Sequence, residues 1–223
     1  MLPIVNARGV PGALGGLARG PDGTHYFISC QHVLFGAGAG ANEKVFAIDE
    51  ADGRERLIEI GRTARGFLGR VTHQGQPCFI DCAIGVLTCE VPDFVIRGLQ
   101  AAGPMQGVSS THPGARVSKQ GSITGRTRGT VTDVNWYDRP LFSDRLLEAP
   151  GQLLISPSNP EESFSVPGES GCAVVDENDC VVGFLWGCNQ HGEGIACPAT
   201  AALQWLDITL EPQMPAGRNG EAR

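Results

Sequence analysis

Short apolar runs, separated by Gly, Pro, Asn and Asp, recur along most of the chain. Their lengths and their content of β-branched residues are typical of β-strands. Regular strand spacing with little helical periodicity predicts an all-β protein of the sandwich or barrel class. The runs cover residues 25–29, 45–48, 57–60, 79–87, 129–134, 152–155, 173–175 and 181–186.

Helical periodicity is clear in one segment near the C-terminus. Pro198 can occupy the first turn of a helix, where its missing N–H costs nothing. Apolar residues then follow at helical spacing: Ala199, Ala202, Leu203 and Leu206. A weaker helical pattern covers residues 93–101. The sequence therefore predicts a short C-terminal helix packed on β-structure.

Composition divides the chain into two similar halves, because Gly, Ser, Pro and Ala are concentrated between residues 98 and 114. We expect a first β-domain at 1–100, a linker at 101–114, and a second β-domain with the helix at 115–210. Residues 211–223 carry Pro, Gly, Arg and Glu with almost no apolar side chains. Such a composition predicts a disordered tail.

The charge and hydropathy of the chain limit its partners. The formal net charge of −7 argues against nucleic acid as the main partner, since phosphate binding needs a positive surface. No apolar stretch approaches the ~20 residues that span a bilayer. Residues 1–16 lack the basic start and apolar core of a signal peptide. We therefore expect a cytoplasmic protein with no nucleic-acid or membrane partner.

The eight cysteines would suit disulfides in an exported protein. Without an export signal, reduced thiols are the default, and cysteine also packs as a small buried hydrophobe. The sequence has no Cys-x-x-Cys pair and no histidine at zinc-finger spacing. We accordingly expect no structural zinc site.

Two side chains with catalytic chemistry lie at the edges of apolar runs. His32 ends a strand before a glycine-rich loop, where a general base can be held rigidly and stay accessible. Its alternative is a buried histidine bonded to the backbone. Asp81 opens the apolar run 81–87, where a carboxylate is costly unless it is paired. Its alternative is an ordinary turn residue. Rival carboxylates lie in more polar contexts: Asp49, Asp52 and Asp93.

Ser170 lies in Gly168-Glu169-Ser170-Gly171, a serine flanked by glycines that allow a sharp turn. The match is weak by itself, since glycine and serine also populate ordinary turns. A serine hydroxyl needs a base to become nucleophilic, and His32 with Asp81 would supply the base and its orienting group. Backbone N–H groups of Gly168 and Ser170 would form the oxyanion hole.

The order His, Asp, Ser along the chain matches trypsin-like serine peptidases of the chymotrypsin fold and differs from subtilisins and α/β-hydrolases. The chain resembles this family over about residues 8–210. The segments that carry the resemblance are Ile28-Ser29-Cys30-Gln31-His32-Val33-Leu34, Phe79-Ile80-Asp81-Cys82-Ala83-Ile84, Pro167-Gly168-Glu169-Ser170-Gly171 and Val182-Gly183-Phe184-Leu185-Trp186-Gly187. Residues 117–131 and 195–198 resemble the intracellular, narrow-leaf-type members found in bacteria and plants.

The resemblance implies two six-stranded antiparallel β-barrels packed side by side, with the active site in the cleft between them. His32 and Asp81 would come from the first barrel and Ser170 from the second. The implied activity is a serine endopeptidase that cleaves protein or peptide substrates through an acyl-enzyme intermediate, with no cofactor.

The resemblance also implies a specificity pocket just before the nucleophile. Phe164 would lie at its base with Ser165 beside it, and Trp186 and Gly187 would bind substrate along one wall. Because Phe164 is not acidic, a preference for Lys or Arg is not expected, and a neutral or small residue is the prediction.

One departure from the family bears on activation. Glu169 replaces the aspartate that, in digestive relatives, pairs with a new N-terminus after zymogen cleavage. We predict no such N-terminal insertion here. Two other functions stay open: a non-catalytic module of the same fold that binds peptides or partners, and a hydrolase of esters. A regulatory partner, if one exists, is not identified by the sequence.

Overall fold

The computed structural model describes residues 2–51, 54–87, 95, 97–98, 105–142 and 144–212. The weaker predicted helix at 93–101 falls mostly outside them, although residues 95, 97 and 98 are helical. Also outside are residues 99–104, which hold the start of the predicted linker, and residues 213–223, which hold most of the predicted tail.

The strands of the N-terminal half form the first barrel. Their bounds are β1 (Pro3–Asn6), β2 (Pro11–Ala13), β3 (Gly16–Arg19), β4 (His25–Ser29), β5 (Lys44–Ala51), β6 (Arg54–His73) and β7 (Gln76–Leu87). They pair in the order β3-β4-β7-β6-β5-β1-β2. Leu14 N donates to Leu2 and Gly15 N to Ile28, so β2 runs into β3 and a six-stranded ring closes on itself.

The second barrel is built from the C-terminal half. Its strands are β8 (Gly107–Val108), β9 (Arg116–Gln120), β10 (Arg126–Asp138), β13 (Ala149–Pro157), β14 (Ala173–Asp176), β15 (Cys180–Cys188) and β16 (Gly194–Pro198). The order β14-β9-β10-β13-β16-β15 closes through pairing of β14 with β15, which makes a six-stranded barrel. Two strands form a separate hairpin, β11 (Leu141–Phe142) and β12 (Arg145–Leu146), and β17 (Thr209–Leu210) returns to pair with β3.

The prediction of an all-β chain with two barrels is confirmed. Every apolar run predicted as a strand lies within a strand. Strands that were missed include β2 and β9, which have no apolar run of that length, and β6 was predicted only over residues 57–60 because Gly and polar residues interrupt the pattern beyond them. Outside residues 57–60, β6 is held in the sheet by its backbone pairing with β5 and β7, which the side-chain pattern does not reveal.

The predicted C-terminal helix is α2 (Ala199–Leu206). Its buried side chains are Ala199, Ala201, Ala202, Leu203 and Leu206. The helix ends where Asp207 takes the left-handed conformation at φ 49°. On its outer side, Trp205 packs on Phe67 of β6 with ring centroids 4.8 Å apart. No helix among the described residues is long and apolar enough to cross a membrane.

The two barrels meet along β7 and β13, next to the cleft. Residues 78–85 of β7 are all buried, because one face of the strand lines its own barrel while the other faces its neighbour. Gln152 of β13 is fully buried, donates from Nε2 to the Phe79 carbonyl at 2.8 Å, and accepts from Trp186 Nε1 at 2.7 Å. These satisfied polar groups fix how the barrels are placed relative to each other.

Candidate active site

His32 is held at the edge of the cleft by Asp81. It lies in α1 (Gln31–Leu34), a single turn that follows β4 directly. Its backbone N–H donates to Asp81 Oδ1 at 3.1 Å, and its ring Nδ1 is hydrogen-bonded to Asp81 Oδ2. These two bonds assign the Nδ1–H tautomer and leave Nε2 available to accept a proton.

The burial of the pair is unequal. The Asp81 side chain is completely buried, whereas 23% of the His32 side chain is exposed. A buried carboxylate is tolerated when it is paired and hydrogen-bonded, and here both bonds come from one residue. The arrangement therefore fixes the imidazole while leaving one side of it open to solvent.

The loop that carries Ser170 is tied to both barrels through its backbone. Ala13 N in the first barrel donates to the Ser170 carbonyl at 2.8 Å, and Gly171 N donates to Leu185 at 2.7 Å. Gly171 has φ 102°, and a Cβ there would lie 2.3 Å from the Ala13 oxygen. Only glycine fits this position, because both the dihedral angle and the space exclude a side chain.

The Ser170 hydroxyl donates to the Trp186 carbonyl at 3.2 Å, and in this conformation it makes no hydrogen bond with His32. Catalytic hydrogen bonds are often long or misaligned in the absence of substrate. A hydrogen bond between Ser170 and His32 would require the serine side chain to turn from Trp186 towards the imidazole.

Two backbone amides of the loop are free to bind an anion. Among the described residues, neither the Gly168 N–H nor the Ser170 N–H has an acceptor, whereas Glu169 N bonds to Val166 at 3.3 Å. Gly168 takes φ 97°, a conformation that favours glycine. Paired unsatisfied amides beside a nucleophile are the donors that an oxyanion hole needs.

Glu169, which precedes Ser170 in the chain, forms a buried ion pair. Its side chain and that of Lys119, on β9, are both completely buried, and Lys119 Nζ lies 2.8 Å from Glu169 Oε2. Thr124 donates from its backbone N–H at 2.8 Å and from its hydroxyl at 2.9 Å, and Ile123 N donates at 3.1 Å. Weaker donors are Ser165 Oγ and Val166 N, each at 3.3 Å. The positively charged partner of Glu169 is thus Lys119, a buried residue of the same chain.

The surroundings of Glu169 set its ionisation. Burial would raise the pKa of its carboxyl, but hydrogen bonds from Lys119 and Thr124 and the Lys119 charge together hold the pKa below its usual value. The carboxylate is therefore charged at neutral pH, and its hydrogen bonds anchor the loop just before Ser170.

Lys119 is the residue at this site that sequence reasoning missed. It follows Val117 at an inward position of β9, where the buried and less buried positions alternate. A lysine at an inward strand position is a signal for a buried acidic partner, since lysine is almost never fully buried unpaired. The partner is brought near because Lys119 pairs with Val174 on β14.

Comparison with known proteins bears on the fold. No protein-family model and no curated protein matches the sequence. Among solved structures, a glutamic acid-specific serine protease that uses a histidine triad in substrate binding matches with TM-score 0.62 and 19% identity, over 94% of this chain and 97% of that chain. Nocardiopsis protease matches with TM-score 0.62 and 17% identity, over 94% and 96%. Thermobifida fusca protease A matches with TM-score 0.61 and 16% identity, over 93% and 95%.

The chain has the chymotrypsin fold. The resemblance to chymotrypsin-fold peptidases is thereby confirmed at the level of architecture. Identities this low show a shared fold and not a shared activity. The narrower likeness to intracellular narrow-leaf-type members stays a prediction.

Within the chymotrypsin fold, the residues expected to bind substrate fall into two groups. Phe164 is completely buried, and a Cβ on Gly194 would lie 2.5 Å from its ring. Ser165 is almost fully buried and directs its hydroxyl to Glu169. Neither side chain offers surface to a substrate in this conformation. A Cβ on Gly187 would meet nothing within 4 Å, so this position borders open space.

Three aromatic rings pack in series from His32 inward, and two of them, Phe79 and Trp186, are buried. Phe142 of β11 lies with its ring 5.3 Å from the His32 ring and 6.1 Å from Trp186. Phe79 contacts Trp186 at 5.6 Å between centroids. Sequence reasoning named Trp186 but missed Phe142, whose position depends on the separate hairpin.

One group of side chains has the atoms of a metal site. Ligand atoms of Cys30, His32 and Asp81 all lie within 4.8 Å of one another. The Cys30 thiol, however, donates to the Leu185 carbonyl at 3.2 Å, and burial raises its pKa well above the usual value. The His32 and Asp81 atoms are already bonded to each other. The geometry therefore fits a base and its orienting carboxylate better than a metal centre.

Proposed function

We propose that the protein is a serine endopeptidase whose triad is His32, Asp81 and Ser170. The observation that carries the proposal is the doubly bonded His32–Asp81 pair at the cleft, opposite a glycine-flanked serine with free neighbouring amides. A buried carboxylate that orients an accessible imidazole is the arrangement that nucleophilic serine chemistry needs.

In this mechanism Nε2 of His32 takes the proton of the Ser170 hydroxyl as its oxygen attacks the peptide carbonyl. The developing oxyanion is stabilised by the N–H groups of Gly168 and Ser170. His32 then donates the proton to the leaving amine, and the acyl-enzyme is hydrolysed by water along the same route. Asp81 stabilises the imidazolium, and Trp186 and Gly187 bind the substrate beside the reacting bond.

The buried positions of Phe164 and Ser165 bear on specificity. Neither side chain carries a negative charge that could bind a Lys or Arg of the substrate. Cleavage after a neutral or small residue therefore remains our proposal. The substrate is a peptide or protein, and the location expected from the sequence is the cytoplasm.

The test is covalent labelling with a fluorophosphonate, followed by mass spectrometry of the modified peptide. We expect the label on Ser170, and we expect Ser170→Ala to abolish both labelling and peptide hydrolysis. Ser158→Ala, which removes an exposed serine that does not line the cavity beside His32, serves as the control and should keep both. Peptide cleavage that survives Ser170→Ala would refute the assignment.

The second candidate is a non-catalytic module of the chymotrypsin fold. It is favoured by one observation, the hydrogen bond of the Ser170 hydroxyl to Trp186 in place of His32. Under this alternative, the pure, folded protein would bind peptides but would take no fluorophosphonate label.

A further inference from the structure

A cavity of about 440 Å³ opens beside His32, between the first barrel and the β11–β12 hairpin. Its walls are mostly apolar or backbone, and include Phe35, Leu68, Phe142 and Leu147. Only one permanently charged side chain, Arg145, is found among the described residues that line it. No carboxylate is among them. The cavity is therefore an apolar recess with a single cation at its edge.

Strand pairing places Arg145 on the side of the hairpin that faces His32. Phe142 and Arg145 are direct cross-strand partners, and such partners project from the same face of an antiparallel pair. The Phe142 ring packs against His32 with centroids 5.3 Å apart. The guanidinium group is thus carried by the same surface that contacts the catalytic imidazole.

Arg145 has no ionic partner in the part of the chain that the structure describes. The ion pairs found there use other basic residues, including Arg70 with Glu148 at 2.7 Å close to the hairpin. Arg8 is likewise neutralised by Glu43 at 2.9 Å. In a chain of net charge −7, a cation left unpaired at the cleft attracts an anionic group from outside the protein.

We propose that the recess and Arg145 form a substrate subsite that selects an acidic side chain within two residues of the cleaved bond. The inference rests on the proposed peptidase function. An Arg guanidinium binds carboxylates through paired N–H donors. The apolar walls would hold the methylene groups of a glutamate while its carboxylate reaches Arg145. This preference is separate from the residue recognised immediately before the scissile bond.

The test compares matched fluorogenic peptides in which one position carries Glu or Gln, covering the second residue before the bond and the first and second residues after it, while the residue immediately before the bond is kept constant. At one position we expect kcat/KM to be about fivefold higher for Glu, the size typical of a partly exposed ion pair. The ratio should fall towards one as salt is raised. Arg145→Gln should remove the preference, and Arg145→Glu should reverse it in favour of Lys.

Arg139→Gln is the matched control, because it removes the same charge from an exposed residue near the hairpin that does not line the recess. It should keep the Glu-to-Gln ratio. An unchanged ratio in Arg145→Gln, or no acidic preference at any position, overturns the subsite. If Ser170 still takes the fluorophosphonate label in that case, the proposed function stands. Absence of both labelling and cleavage overturns the function and the subsite together.

Discussion

Two carboxylates of this chain, Asp81 and Glu169, are both completely buried and both paired, yet they are built differently. The Asp81 carboxylate accepts hydrogen bonds only from His32 among the described residues, and His32 is partly exposed. Glu169 pairs with a lysine that has no exposed surface, and four further residues donate to it.

The difference separates a carboxylate suited to catalysis from one that supports structure. The titratable partner of Asp81 is His32, and that partner is open to solvent on its other side. Such a carboxylate can stabilise a proton transfer at its partner. Glu169 is enclosed by hydrogen-bond donors, and its titratable partner, Lys119, is not exposed to solvent. Its bonds instead hold in place the backbone segments that supply the donors. Burial alone does not distinguish the two; the number of donors and the exposure of the partner do.

The largest expected effect is on catalysis through Asp81. Asp81→Asn should lower kcat by about 10⁴-fold, because the amide no longer favours the tautomer with a free Nε2. Peptide hydrolysis rates measure the loss, and thermal unfolding should show that the fold persists. A small change in rate would contradict the catalytic reading of this carboxylate.

Breaking the second pair should act on stability. Lys119→Met leaves Glu169 buried without its cation and should lower the free energy of unfolding by about 3–5 kcal/mol. The control is Lys44→Met, which breaks an exposed pair with Glu59 and should cost about 1 kcal/mol or less. Urea unfolding measures both. Equal losses of unfolding free energy in the two variants would show that Lys119 contributes no more to stability than an exposed ion pair does.

The double variant Lys119→Met/Glu169→Met sharpens this comparison. In a simple buried pair, replacing both partners often restores stability. Here the backbone N–H groups of Ile123 and Thr124 would lose their acceptor, so we expect the double variant to stay destabilised. Recovery to the wild-type midpoint in urea would mean that the ion pair, and not the loop it holds, is what matters.

Lowering the pH should also reveal the contribution of Glu169 to stability. The pKa of Glu169 is lower in the folded protein than its usual value of 4.5, so its contribution to stability is present above that value and is lost as pH falls through the folded pKa. Wild-type stability should therefore drop below about pH 4.5. Unfolding midpoints of Lys119→Met/Glu169→Gln should fall less over the same range. Parallel curves would contradict this source of acid sensitivity.

The smallest effect expected is from one hydroxyl. Thr124→Val keeps the side-chain shape but removes the donor to Glu169 and the acceptor for Lys119, which lies 2.8 Å away. We expect a loss of about 1–2 kcal/mol in unfolding free energy. Thr132→Val, which removes a hydroxyl bonded only to a backbone carbonyl, should cost less. The reverse order would be evidence against a donor-rich anchor at Glu169.

Much of the fold was accessible from local pattern. The strands with apolar runs and helix α2 were predicted because alternation, run length and helical spacing are properties of neighbouring residues. His32, Asp81 and Ser170 were predicted for a related reason, since each lies at the end of an apolar run or in a glycine turn.

What could not be predicted depends on long-range pairing. Lys119 meets Glu169 only because β9 pairs with β14, and Phe142 meets His32 only because a hairpin inserted between β10 and β13 turns back over the cleft. Phe164 and Ser165 were expected to face a pocket. The structure turns both inward, towards the barrel core and Glu169, which a linear motif does not specify.

The hydrogen bond from the Ala13 N–H to the Ser170 carbonyl crosses from one barrel to the other. Neither half of the chain contains all three residues of the proposed triad. Under the proposed function, a chain cut between the barrels and expressed as two fragments would regain hydrolysis only on reassembly. Enzymatic turnover would then act as a gauge of fragment complementation, and the protein would serve as a split reporter.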